Sequence, residues 1–296
     1  RAVDLSPDER WAVTGGFAGE EMMAPGEAIL WDVATGQEVR RFAGYSFGVV
    51  TVRFVLDGAA VLAGSGDAQI FSDRLPSSDA SAEGPGLVVA EMWLWDAATG
   101  QSLRGFEGFA EDAFSLAISP DGSQALAGSF YNQVSVVWDL RSGQKVSTLG
   151  GHLEGIGAVA WSQDGRRGLT GSFDDSAILW DMVSGQSIAR FDAHEGDLLA
   201  VALSPDGRTA LASTADGALI QWDLVDAAEL QRLPGHDDTI WDVTVTRDGT
   251  RALSSSGAAS PNVPVQDASI RLWDLATGAQ TGYAALPVET IQSEVD

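Results

Sequence analysis

The residues in this 296-residue chain best suited to proton transfer or metal ligation are its three histidines, His152, His194 and His236. Successive histidines are 42 residues apart. That interval matches a repeat period running along the chain, so each histidine holds the same place in a different unit. None is left for a Ser-His-Asp arrangement or a shared metal centre. The absence of cysteine removes disulfides and thiol chemistry. The turns Phe173-Asp174-Asp175 and Ala215-Asp216-Gly217 lack the alternating oxygen ligands and closing Glu of a calcium loop. No glycine run leads into the Lys-Ser/Thr of a phosphate loop. The expectation is a non-enzyme, with no catalytic residue, no cofactor and no metal ligand. A hydrolase built on two carboxylates stays open, because 42 Asp and Glu let no pair stand out.

The elements around these residues follow from a second pattern. Trp-Asp recurs in one register at Trp31, Trp95, Trp138, Trp180, Trp222 and Trp273, each followed by Asp; Trp241-Asp242 lies outside that register. A turn Asp recurs at Asp8, Asp57, Asp121, Asp164, Asp206 and Asp248, each of the last five 26 residues beyond the preceding Trp. From turn Asp to the next Trp the interval is 17, 16 and 16 in the third to fifth units, but 23, 38 and 25 in the first, second and sixth. All length variation therefore lies in one half of the unit. A period of about 40–45 residues with this punctuation indicates propeller blades. The fourth unit reads as four short β runs, IGAVAW, GLTGS, AILWD and SIARF, separated by Gly, Asp and Ser turns. The third run is almost wholly apolar and reads as covered on both faces. The more polar fourth reads as an outer edge.

These residues resemble the WD40-repeat family over nearly the whole chain, and the alanine, glycine and arginine content with Ser-Pro-Asp-Gly turns resembles its bacterial members. The resemblance implies an all-β, WD40-like β-propeller with six four-stranded blades visible, seven in the intact parent protein being the alternative. It also implies a single domain over 1–296, with units near 1–42, 43–106, 107–149, 150–191, 192–233 and 234–286. Gly151-His152 and Gly235-His236 match the family's Gly-His dipeptide, with Ala193-His194 as a variant. Family members link that His, a Ser or Thr, an Asp and the Trp in a structural tetrad. Carried over, this gives His152, Ser172, Asp174 and Trp180, then His194, Thr214, Asp216 and Trp222, then His236, Asp267 and Trp273. Units one to three depart from it: Pro25, Val89 and Asn132 stand where the Asp belongs, and Gly44-Tyr45 and Gly108-Phe109 where Gly-His belongs. Past Trp273, Glu289-Thr290-Ile291 falls in the register of Asp238-Thr239-Ile240, which reads as the start of a further repeat.

A net charge of −25 with a pI near 4.2 argues against nucleic-acid binding and suits basic partners or plain solubility. No apolar run is long enough for a membrane helix, and no signal-peptide pattern is present. A cytoplasmic location is slightly favoured, although a start at Arg1 inside a strand-like segment reads as a piece of a longer product. Expected function is a non-catalytic scaffold or sensor binding a protein or peptide on its top face. The alternative is an enzyme or small-ligand propeller with a site at the mouth of the central channel. The lengthened loops of units one, two and six would form a raised wall around half the rim, binding surface or drift. The candidate partner-binding residues are Tyr45, Phe47, Phe109, Tyr131, Phe173 and Trp241, with the acids Glu111, Asp112, Asp175, Asp197 and Asp238 around them.

Overall fold

A computed structural model describes residues 2–17, 25–45, 48–66, 92–106, 113–193, 196–233, 235–257 and 266–285. The lengthened loops fall almost entirely outside the described residues, as do Phe47, Val89, Phe109, Glu111, Asp112 and His194.

The described strands form six four-stranded antiparallel sheets, each a simple meander. Blade one is β1 (Ala2–Leu5), β2 (Trp11–Phe17), β3 (Gly26–Asp32) and β4 (Gln37–Tyr45). Blade two is β5 (Val49–Val55), β6 (Ala60–Ser65), β7 (Met92–Asp96) and β8 (Ser102–Phe106). Blade three is β9 (Ser115–Ile118), β10 (Gln124–Gly128), β11 (Val134–Asp139) and β12 (Lys145–Gly150). Blade four is β13 (Ile156–Trp161), β14 (Arg167–Ser172), β15 (Ser176–Asp181) and β16 (Ser187–Asp192). Blade five is β17 (Leu198–Leu203), β18 (Thr209–Thr214), β19 (Leu219–Asp223) and β20 (Ala228–Leu233). Blade six is β21 (Ile240–Val245), β22 (Arg251–Ser256), β23 (Ser269–Asp274) and β24 (Gln280–Ala285). The chain is an all-β propeller.

Burial explains the strand compositions. The third strand of blade four, SAILWD, is buried along almost its whole length, whereas the fourth, SIARFD, alternates and exposes its charges. In every blade the register between third and fourth strands slips just before the Trp, as at Leu179/Trp180 and Leu272/Trp273. A bulge there adds local twist, beside the bulkiest side chain of the layer.

Successive first strands pack on one another, β1 on β5 and so on to β17 on β21. Between successive blades lie five apolar layers. Each seats the Trp of the later blade beside the β2-type strand of the earlier one: Trp95 with Val13, Trp138 with Leu62, Trp180 with Leu126, Trp222 with Leu169 and Trp273 with Leu211.

Each Asp of the Trp-Asp pairs has a different task. Asp181 accepts the Ser184 amide at 2.7 Å and its hydroxyl at 3.0 Å, closing the turn to the fourth strand. Asp32, Asp96, Asp139 and Asp274 do the same with a Thr or Ser three residues on. Those turns end on Gly36, Gly100, Gly143, Gly185 and Gly278, with φ between 68° and 77°. In blade five the place is taken by Ala227 at φ 51°, where a Cβ crowds the backbone. Ala227→Gly should therefore stabilise the protein by roughly 1 kcal/mol, less the extra chain entropy of glycine. A higher urea midpoint at unchanged slope is the expected result.

Candidate functional site

In a meander, the turn between second and third strands and the link from the fourth strand to the next blade lie at the same end of the sheet. That end, the top, is stitched by backbone hydrogen bonds. Ile156 N–H donates to Ser129 O at 2.7 Å, Phe173 N–H to Gly155 O at 3.0 Å, Ala193 N–H to Asp175 O at 2.8 Å and Ala215 N–H to Asp197 O at 2.9 Å. Each top loop is thereby tied to the link into its own blade or the next. Gly155 is needed for this, since a Cβ there would stand 1.6 Å from Phe130 O.

Below the loops lies a buried polar network. In blade four, His152 Nε2 is 2.8 Å from Thr170 Oγ1, which also accepts the Trp180 indole N–H at 2.9 Å. The other ring nitrogen meets Asp174 at 3.1 Å, and Arg190 reaches the same carboxylate at 3.1 Å. The hydroxyl in the network is thus Thr170, a correction to the expected Ser172, which instead donates to Gly155 O at 2.7 Å. Both side chains point to one face of the strand, so alternation alone does not choose between them. A better signal was available: Thr14, Thr170 and Ser254 each lie six residues past a turn Asp. Blade six repeats the network with Ser254, 2.7 Å from His236 and 2.8 Å from the Trp273 indole, and with Asp267 2.8 Å from His236.

The other blades are incomplete in distinct ways. In blade five the hydroxyl position is Ala212; the expected Thr214 bonds Asp216 and Ala218 O instead, so it is not the partner of Trp222. In blade two, Tyr45 replaces the His and accepts the Trp95 indole N–H at 2.6 Å. In blade one, Trp31 donates to Thr14 at 2.8 Å. In blade three the hydroxyl position is Ala127, and the buried Trp138 indole N–H has no acceptor among the described residues.

Electrostatics follow burial. Burial pushes the His152 and His236 pKa values down, against the pull of Asp174 and Asp267. Asp267 is pushed up by burial, but hydrogen bonds from Ser269, His236 and the Asp237 amide outweigh this and hold it at about 2. Asp174 ends below its ordinary value in the same way, through Ser176 and the Leu153 amide.

The partner-binding candidates separate into groups. Tyr45 is 2% exposed and spent on Trp95, so it is not a surface residue. Asp238 accepts the Gln266 and Asp267 amides, both at 2.6 Å, and serves its own blade. Trp241 is half-buried with its indole N–H on Gly257 O at 3.2 Å. Tyr131 and Phe173, by contrast, are brought together through Phe130, whose ring centroid is 5.2 Å from Tyr131, 4.6 Å from Phe173 and 5.8 Å from Phe114. All four rings are half-buried. Beside them, Asp197 is pushed above its ordinary value by burial and then by the charges of Asp175 and Glu154. That coupling puts Asp175 and Glu154 within electrostatic reach of Asp197. Phe114, Phe130 and Glu154 escaped sequence reasoning; Phe130 directly precedes Tyr131 but reads as the end of a strand.

A family model described as WD domain, G-beta repeat (WD40) matches residues 143–181, 185–223 and 228–274. Each match starts at or beside the outer strand of one sheet and ends at or just past the Trp-Asp of the next, so the sequence repeat spans two blades. None of the curated proteins matches the chain.

Two predictions follow from the network. Ala127→Ser gives the Trp138 indole an acceptor and should raise stability by about 0.5–1.5 kcal/mol in chemical denaturation. Acid should weaken the fold in two stages. Unfolded histidine takes up a proton near 6.5 while His152 and His236 resist it, so their stabilisation is full above that pH and falls below it. A second loss follows as pH drops from 3.8 towards about 2 and Asp267 protonates. Urea midpoints unchanged between about pH 7.5 and 5 would contradict the first stage.

Proposed function

Given that the chain belongs to the WD40-repeat family, we propose that it is a non-catalytic interaction module whose top face over blades three and four binds a peptide carrying apolar and basic residues. One observation carries this reading: the half-exposed cluster of Phe114, Phe130, Tyr131 and Phe173 beside Glu154, Asp175 and Asp197. Aromatic rings supply contact area at small entropic cost, and desolvated acids favour a cationic side chain between them. The stitched loops hold these groups in place before a ligand arrives, which lowers the ordering cost of binding. An overall charge of −25 adds attraction for basic partners.

The alternative, a ligand site at the channel mouth, has one observation in its favour. Asp242 on β21 is reached by solvent yet hemmed in by protein; burial pushes its carboxyl up, while the Val243 amide and Arg53 of β5 pull it down. Among the described residues the raised carboxyls are Asp197 and Asp242.

The test is a peptide library with Lys or Arg flanked by apolar residues, read by fluorescence anisotropy. Phe173→Ala and Tyr131→Ala should each weaken the selected peptides about tenfold or more, while Trp241→Ala leaves them unchanged. Equal binding by all three variants would sink the assignment. Asp197→Asn separates function from stability. A carboxyl whose folded pKa is raised costs stability once pH rises through that pKa. The variant should therefore melt higher at neutral pH and bind basic peptides less well.

A further inference from the structure

The chain contains six Asp-Gly pairs, at Asp57, Asp121, Asp164, Asp206, Asp216 and Asp248. Five of these carboxylates are held by a hydroxyl two residues back. Ser119, Ser162, Ser204 and Thr246 donate to Asp121, Asp164, Asp206 and Asp248, each at 2.6 Å, and Thr214 donates to Asp216. In the first four, the same oxygen also accepts the backbone N–H two residues on, at 3.0–3.1 Å. These bonds hold the four carboxyls below their ordinary pKa, the hydroxyl contributing most. Asp57 is built differently. Val55 stands where the others have Ser or Thr, and the turn takes another path. Leu56, Asp57 and Gly58 are all left-handed, at φ 53°, 57° and 84°. The N–H two residues on, that of Ala59, goes to Leu56 O at 3.1 Å instead. Gly58 N–H reaches Val55 O only at 3.2 Å, against 2.8–2.9 Å for the matching bonds of Gly122, Gly165, Gly207 and Gly249. Among the described residues nothing donates to the Asp57 carboxylate, and the residue is exposed.

We infer that Asp57-Gly58 is a site of spontaneous isoaspartate formation, to which the other five pairs are closed by the bonds that shape their turns. The reaction takes water as its only reagent. The Gly58 amide nitrogen attacks Asp57 Cγ while the carboxyl is in its acid form. An N–Cγ bond forms, a Cγ–O bond breaks, the amide proton is lost and one water departs. The product is a five-membered succinimide. Water then adds at one of its two carbonyls. Addition at Cγ restores aspartate. Addition at the main-chain carbonyl leaves the chain running through Cβ and Cγ, with one more backbone carbon and a free α-carboxylate. Glycine hinders the attack least, because no Cβ flanks its nitrogen. A carboxylate bound by a hydroxyl and an amide is protected twice. It resists protonation, and it must leave both donors before Cγ can meet the glycine nitrogen. No such donors hold Asp57. Gly217 has a further shield, since it is buried and a Cβ there would lie 2.8 Å from His236 O. The modification bears on blade one as well. Pro7 Cδ is 3.1 Å from where a Gly58 Cβ would stand, so a lengthened turn has little room against the first turn of that blade.

The test is incubation of the folded chain in oxygen-18 water at neutral pH and physiological temperature. Digestion and mass spectrometry with electron-transfer fragmentation then distinguish isoaspartate from aspartate. Hydrolysis of a succinimide leaves one heavy oxygen at the residue, so passage through the ring is counted directly. Rates are divided by those of the same chain in guanidinium chloride, which removes the effect of neighbouring sequence. The expected result is label and isoaspartate at Asp57 about tenfold or more faster than at any other Asp-Gly pair, the factor that one hydrogen bond to a charged group is worth. Val55→Ser should slow Asp57, and Ser204→Ala should speed Asp206, each towards the other's rate. Where Val55→Ser unfolds the chain, Ser204→Ala carries the comparison alone. A folded-state rate at Asp57 no higher than at Asp121 overturns the inference. So does an Asp206 that stays as slow in folded Ser204→Ala as in the parent chain.

Discussion

The fold depends on one contact made repeatedly: the tryptophan of a blade seated against the second strand of the blade before it. A single four-stranded sheet has two faces and cannot bury both by itself. Here Trp180 lies beside Leu126, Trp222 beside Leu169 and Trp273 beside Leu211, so each blade is completed only by its neighbour. Stability in such an array is close to a sum of blade and interface contributions. The constant interval from each Trp to the next turn Asp follows from this, because that stretch holds the outer strand and the next first strand, which must span a boundary of fixed thickness.

The polar network is secondary to that packing. Blades four and six connect His, hydroxyl, Asp and Trp, whereas blade three buries a Trp indole N–H without an acceptor among the described residues and still holds Trp138 at 3% exposure. An unmade hydrogen bond costs about 1–3 kcal/mol, a cost that apolar burial around the ring outweighs. Tyr45 shows another solution, in which a phenol takes the place of imidazole and keeps the indole satisfied. With the scaffold secured in this way, the top loops carry the variation, and backbone bonds such as Phe173 to Gly155 make them a fixed platform.

Much of this was legible in the residues. Trp-Asp spacing, turn Asp spacing and alternation led to four strands per unit and six units, because the two-residue period of a strand and the demands of tight turns are local. The structural place of His152 and His236 was legible for the same reason. Side-chain choices across strands were not. Thr170 rather than Ser172 meets the histidine because the strands set the depth at which the imidazole enters, and both residues share a face. Tyr45 reads as a surface aromatic because it lies where one unit passes into the next; it ends β4, and only the position of Trp95 in the next blade's sheet shows that it turns inward.

The sequence by itself determined the repeat, the strand order within each blade and the residues that form its turns, all of which depend on neighbours a few residues apart. Tertiary structure alone decided which exposed rings share a surface and which faces find cover. Phe114, Phe130, Tyr131 and Phe173 meet because two blades stand side by side, and Leu253 is exposed where Leu211, at the same register position, is buried. Identical local patterns take different environments when burial depends on a neighbouring sheet, and that information resides in the assembly of blades rather than in any one repeat.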